Sequence, residues 1–275
     1  MRSAIDICIM EIAGYLAALL IGLSLGLTGG GGSILTVPVL VYLFGIEPVL
    51  ATTYSLFIVG ATSLVGGVRA YMFRQVDFKA VSLFGIPSIF SIFIARHFVL
   101  PELPDVVFSF GTHAVAKGTF LMLVFALLMF VSVFFMMRPQ KDPEISGNED
   151  TIHRPLLLLI PGLVVGFITG LLGAGGGFMI IPALVLLLKI PMRKAIGTSL
   201  HIIAINSLFG FLFSMKQTEF NWNLLLISTA LAIAGVLAGV FFSKKINNRL
   251  LKILFGWFVL LMSVAILIKE LVFPS

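Results

Sequence analysis

The stretch Gly26-Leu27-Thr28-Gly29-Gly30-Gly31-Gly32-Ser33, followed by Pro38, decides how this chain is read. It returns 144 residues later as Gly170-Leu171-Leu172-Gly173-Ala174-Gly175-Gly176-Gly177, followed by Pro182. Each copy interrupts an otherwise continuous apolar segment. Contiguous glycines break a helix, and in lipid a freed backbone polar group must find a partner. Two such breaks at one spacing therefore mark a built feature rather than a loop.

The surrounding composition places those breaks in a membrane. The 275 residues are 59% hydrophobic and 11% charged, with mean hydropathy +1.15, whereas soluble domains carry roughly 25% charged residues. The net charge of +6 rests on only 18 Lys and Arg. In a polytopic membrane protein these set topology first, so no nucleic-acid partner is expected. The partners expected are the lipid bilayer and a small anionic substrate, with a homo-oligomer left open. A single cysteine, Cys8, excludes an internal disulfide and a cysteine-based metal cluster, and no cofactor is expected. Arg2 and the apolar run after it superficially resemble a signal peptide. The run continues through Gly22 and Gly26 without a polar cleavage region, so it reads as a retained first helix.

Apolar runs fall at 8–28, 33–44, 49–72, 79–96, 117–137, 155–173, 177–188, 194–214, 222–242 and 250–271. Most are long enough to cross a hydrocarbon core of ~30 Å. The runs 33–44 and 177–188, which follow the glycine breaks, reach only ~18 Å as helices. Laying 26–66 on 170–210 without a gap matches 17 of 41 residues, among them Pro38/Pro182, Ala51/Ala195, Ser55/Ser199, Leu56/Leu200, Ser63/Ser207 and Gly66/Gly210. Chance similarity of apolar helices matches Leu and Val, not a whole glycine–proline pattern, so the chain is a repeat, a transporter signature. The N-terminal membrane repeat spans 1–137 and the C-terminal one 155–275, joined by the polar segment 138–154.

The basic residues fix the sense of the repeat. If every run changes sides, Arg2, Arg96, Lys117, Lys216 and Lys269 face one way and the other 13 Lys and Arg the opposite way. If 8–44 and 155–188 each make one crossing, the split is nine and nine. The positive-inside rule selects the first arrangement. Five segments per half is an odd number, so the halves are inverted, with both termini outside and 138–154 in the cytoplasm. The expected fold is an all-α polytopic membrane protein of two inverted repeats of about five helical segments each, with glycine-broken short helices after residues 32 and 176.

A helix start carries free N–H groups and partial positive charge, and a glycine turn lets a ligand approach the backbone. Inversion brings the two short-helix starts together, making a positively polarised pocket without a formal charge. The expected substrate-binding residues are Thr28, Gly29, Gly30, Gly31, Gly32, Ser33, Thr53, Ser55, Gly173, Gly175, Gly176, Gly177, Thr198, Ser199, His201 and Asn206. Acidic residues fall in loops or near ends of runs, which argues against a cation substrate. Other readings stay open for single residues. Gly22, Gly26, Gly166 and Gly170 fit close helix packing. Isolated Ser and Thr often bond their own helix, and His201 aligns with Phe57, so the repeat does not require it. Lys189 and Arg193 read as interface anchors.

The motifs Gly170-Leu-Leu-Gly-Ala-Gly-Gly-Gly-Phe178, Pro182, Ala195-Ile-Gly-Thr-Ser-Leu200, Trp222 and Arg249-Leu-Leu-Lys-Ile-Leu-Phe-Gly256 resemble the TauE/SafE sulfite exporter family over nearly the whole chain. The resemblance implies a membrane transporter exporting small sulfur-containing anions, sulfite or organosulfonates such as sulfoacetate, across the cytoplasmic (inner) membrane of a prokaryote. The first half departs from the second-half pattern at Ser33 for Gly177 and at Thr53-Tyr54-Ser55 for Gly197-Thr198-Ser199. An anion channel and a carrier of small carboxylates use the same residues. No H-E-x-x-H motif, cysteine nucleophile or carboxylate pair at membrane depth supports an enzyme.

Overall fold

The computed structural model describes residues 4–110, 113–137, 156–188, 190–215, 220–242 and 248–272. The linker 138–154 and Lys189 lie outside them. The first half comprises α1 (Ala4–Thr28), a 3-10 turn (Gly31–Leu35), α2 (Thr36–Tyr42), α3 (Pro48–Met72), α4 (Phe78–Ile94), a π-helical turn (Ala95–Val99), the single turn α5 (Leu100–Glu102), strands β1 (Val106–Phe110) and β2 (His113–Ala116), and α6 (Lys117–Met137). The second half comprises α7 (Leu156–Leu172), α8 (Gly177–Leu188), α9 (Met192–Ser214), α10 (Trp222–Phe242) and α11 (Asn248–Val272).

Local chemistry explains the boundaries. Glu47 caps α3 through the Val49 N–H with Pro48 at the first position, and Asp77 caps α4 through the Ala80 N–H. The first short helix begins at Gly31 as a 3-10 turn and ends at Tyr42, two residues earlier at each end than the apolar run. Pro38 has no N–H to donate, and as the third residue of α2 it sits where a helix needs none. α8 occupies 177–188 as expected. Six helices among the described residues are long and apolar enough to span a membrane, Phe78–Glu102 among them. That span runs through the expected end of its run at residue 96. The hairpin of β1 and β2, antiparallel with Phe110 opposite His113, was not expected; it joins this span to α6.

Packing follows the repeat. α1 lies on α10 as α7 lies on α4, and α3 on α9 and α6 on α11 pair each helix with its own image. A Cβ built on Gly22 would lie 1.9 Å from the Ala232 carbonyl oxygen, and one on Gly166 would lie 2.3 Å from that of Ser88. Ser88 and Ala232 are themselves equivalent positions. Gly26 on Val236 and Gly170 on Ile92 repeat the contact one turn later, so α1/α10 and α4/α7 run parallel. These four glycines let backbones touch, the small-xxx-small role.

The α3/α9 contact decides the sense of the halves. Leu56 meets Gly210, Gly60 meets Leu208 and Gly66 meets Leu200. As one index rises the other falls, so a helix and its image are antiparallel. Only inverted repeats satisfy that relation. Each short helix lies in its own core: α2 with Tyr54, Phe125 and Leu225, and α8 with Phe84, Val165 and Ile202. The outer surface is apolar, with Leu20 62% and Ile86 69% exposed, as a lipid-facing surface requires.

Candidate functional site

The two glycine breaks touch. A Cβ built on Gly177 would lie 2.7 Å from the Gly30 Cα, and one on Gly30 would lie 2.9 Å from the Gly177 carbonyl carbon. Gly29 and Gly173, equivalent by the repeat, both have positive φ, +76° and +71°. Gly175 and Gly176 do as well, whereas in the first break only Gly29 does. That conformation disfavours any residue with a Cβ.

Each break is held by the opposite repeat. The Ser55 hydroxyl donates to the Gly173 carbonyl at 2.8 Å, and the Ser199 hydroxyl donates to the Gly29 carbonyl at 3.0 Å. Within the first break the Ser33 hydroxyl donates to the Gly30 carbonyl at 2.8 Å. These serines orient the breaks. Buried hydroxyls of Ser63, Ser207 and Thr169, with the Asn206 Oδ1, have no protein partner. A Cβ on Gly175 would stand 3.2 Å from the Ser207 Oγ, and one on Gly176 2.4 Å from the Thr169 Oγ1. Ser207 and Thr169 therefore border the second break, and Ser63 is the repeat image of Ser207. Asn206 donates through Nδ2 to the Ser88 Oγ at 2.7 Å.

Other expected site residues lie elsewhere. Thr28 donates to the Ser24 carbonyl of its own helix. The Thr198 hydroxyl accepts the Asp77 N–H at 2.9 Å, just as its image Tyr54 accepts the Asn221 N–H. Both fasten the loop before a helix. His201 contacts the Gly197 carbonyl at 3.0 Å through Nδ1 and sets its ring edge on Phe78. Gly32 packs on α1, its built Cβ 2.4 Å from the Ile21 carbonyl oxygen. Gly31 opens the 3-10 turn.

A cavity of about 270 Å³ opens beside the first break. Gly26, Leu27, Ile196 and Val240 line it, with Arg69 and Arg193 also on its wall. Ile196 separates it from the break, lying 2.3 Å from a Cβ built on Gly29.

One buried charged residue was missed. Arg96, expected at a membrane face, is 2% exposed within the span Phe78–Glu102. Its Nη1 donates to the Thr53 Oγ1 at 3.0 Å and the Ser214 Oγ at 3.3 Å, and its Nη2 to the Thr52 Oγ1 at 3.1 Å. Its Nε has no partner, and among the described residues no carboxylate pairs with it. The interior thus holds a cationic side chain that the sequence alone places at a membrane face. The signal available was an arginine at the very end of an apolar run, where lengthening the span by two turns takes it inside.

Comparison with known proteins bears on this arrangement. A family model described as sulfite exporter TauE/SafE matches residues 14–266. The chain belongs to the TauE/SafE family. Among relatives of this TauE/SafE protein, a probable membrane transporter protein of Methanocaldococcus jannaschii is 26% identical, covering 84% of each chain. One of Xylella fastidiosa is 26% identical over 90% of this chain and 91% of its own. The probable membrane transporter protein YjnA of Bacillus subtilis is 28% identical over 91% and 97%. No solved structure matches. This TauE/SafE chain is thus a multi-pass membrane transporter.

Proposed function

We propose that this protein is a secondary transporter exporting small sulfur-containing anions, sulfite or organosulfonates such as sulfoacetate, across a prokaryotic cytoplasmic (inner) membrane. The carrying observation is the contact of Gly30 with Gly177, which sets two helix starts from inverted halves against each other. Their first N–H groups lack helical partners, and Ser63, Ser207 and Thr169 add buried hydroxyls with free capacity. Oxyanions accept several hydrogen bonds and suit such a cluster. The backbones abut without room for a Cβ, which favours a carrier that rearranges over an open channel.

The face bearing Arg69, Arg74, Lys79, Arg193 and Lys194 is the cytoplasmic one on this reading. The linker 138–154 joins the repeats 1–137 and 155–275 there, and both termini lie outside. The cavity by Arg69 and Arg193 is then the entry for cytoplasmic substrate. At an inside-negative potential of ~100 mV each negative charge leaving gains about 2.3 kcal/mol, so export proceeds without a coupling ion.

The test is counterflow of labelled sulfite and sulfoacetate in liposomes holding the purified protein, with taurine and small carboxylates as competitors. Saturable counterflow of a sulfur anion is expected, lost in Gly176→Leu. A protein that inserts fully and exchanges no sulfur anion overturns the proposal.

A further inference from the structure

The open cavity has an image under the repeat, and it is filled. Subtracting or adding 144 carries Val240, Ile196 and Ala70 of the cavity wall onto Arg96, Thr52 and Ser214. Leu200 and Gly66 go to Leu56 and Gly210. Where the first set borders empty space, the guanidinium of Arg96 ties Thr52 and Thr53 of α3 to Ser214 of α9. Arg69 is replaced by Phe213, which packs on Phe93 with ring centroids 5.2 Å apart. Among the described residues, the Arg69 side of the breaks thus carries an open cavity, and the Arg96 side chain occupies the equivalent place on the other side.

We propose that Arg96 is the gate of the second vestibule and pairs with the anion as it leaves; this rests on the reading of the cargo as a small anion. Three observations and the chemistry of oxyanions converge. The guanidinium is buried at membrane depth, where an ionisable residue is functional by default. Its three partners are neutral hydroxyls, which leave its charge uncompensated. An oxyanion supplies what they lack: negative charge, and two oxygens matched to the planar fork. Finally, the π-helical turn Ala95–Val99, closed by the Leu100 N–H on the Ala95 carbonyl, has no counterpart among the described residues of the other half, where α10 runs through Val240 as an α-helix. Such turns re-aim side chains at functional sites. An anion arriving from the breaks draws the guanidinium from Thr52, Thr53 and Ser214, which unties α3 from α9 and opens the vestibule.

Two measurements test this in a Cys8→Ala background. The first is sulfite and sulfoacetate counterflow. Arg96→Met is expected to lower it about tenfold or more, the loss of one charge-assisted partner, with Arg96→Lys between. Arg96→Met with wild-type rate and KM overturns the gate. Absence of counterflow in the otherwise unaltered protein instead overturns the cargo reading. The second measurement needs neither cargo nor the arginine variants, and covers failure of Arg96→Met to fold. Leu200→Cys should react with a membrane-impermeant thiol reagent applied from the Arg69 side. Leu56→Cys should resist it from the opposite side until Thr53→Val and Ser214→Ala are added, when labelling rises several-fold. Equal labelling of Leu56→Cys with and without those hydroxyls overturns the gate.

Discussion

The hydroxyl of Ser55 donates to the carbonyl of Gly173 at 2.8 Å across 118 positions of sequence, and neither residue is free to do otherwise. Gly173 has φ +71°, which turns its carbonyl off the helix axis. Ser55 is fully buried on α3, where the only other partner is its own helix. Ser199 makes the equivalent bond to Gly29 at 3.0 Å, with its hydroxyl also 2.8 Å from the Ile196 carbonyl of its own helix. Each half thus fixes the glycine break of the other, and neither break is complete in an isolated half.

Removing either hydroxyl leaves a buried carbonyl without its cross-repeat donor. Ser55→Ala and Ser199→Ala are each expected to destabilise the protein by about 1–3 kcal/mol. Ser199→Ala should cost the less of the two, since the Ser199 hydroxyl is shared with the Ile196 carbonyl of its own helix at 2.8 Å. Thermal midpoints of the detergent-solubilised variants check this; an unshifted Ser55→Ala would mean that the Gly173 carbonyl needs no donor.

Two glycine substitutions separate a packed break from a buried position with room for a Cβ. A Cβ at Gly177 would lie 2.6 Å from the Ile203 Cδ1 as well as 2.7 Å from Gly30. Gly177→Ala should therefore push the breaks apart and abolish transport. Gly85 in α4 has nothing within 4 Å of a built Cβ, so Gly85→Ala should leave transport intact and gain up to about 1 kcal/mol in stability. Flux and thermal midpoint on the same preparations distinguish the two.

Asp77 gives a pH dependence of known sign. Burial pushes its carboxyl up, but the Ala80 N–H and the Lys194 ammonium at 3.2 Å outweigh it and hold it below the usual carboxylate range. A depressed folded-state pKa adds stability that is fully present above the unfolded value of about 3.9 and is lost as pH falls through the folded one. The thermal midpoint of the parent protein should exceed that of Asp77→Asn by a constant margin above about pH 5. The margin should narrow below about pH 4. A margin that instead grows on acidification would contradict the assignment.

Orientation is open to a direct check. A reporter active only outside the cytoplasm should be active when fused after Ser275 and silent when inserted in 138–154. The reverse pattern would turn the open cavity to the outside and make the proposed direction of transport import.

Much of this arrangement is legible in the sequence because the repeat carries it. The same glycine and proline positions stand in both halves, at Gly22 and Gly166 because backbones touch there, and the distribution of Lys and Arg implies the inversion that α3 and α9 bear out. The short helices were legible for the same reason. What stayed hidden is contact between distant positions. Ser55 and Ser199 stand out as matched serines, yet nothing local says that they bond the opposite break. Nothing local in the sequence says that the Thr198 hydroxyl accepts the N–H of Asp77, 121 positions away. Arg96 reads as an interface cation because its hydroxyl partners come from α3 and α9, and the π-helical turn that swings it inward has no composition of its own. Glu270, read as a residue near a helix end, is buried there against the Tyr42 hydroxyl at 2.9 Å.

The antiparallel contact of α3 with α9 bears on how such a protein can arise. A surface that packs against its own inverted image joins two copies of one half only if they enter the membrane in opposite senses. A half-length ancestor with this surface would have had to insert both ways round, and so could not carry a strong charge bias. Covalent fusion through an intervening loop removes that constraint, because insertion of one half dictates the other. Each half was then free to diverge, and the place that lines an open vestibule as Val240 in one became Arg96 in the other.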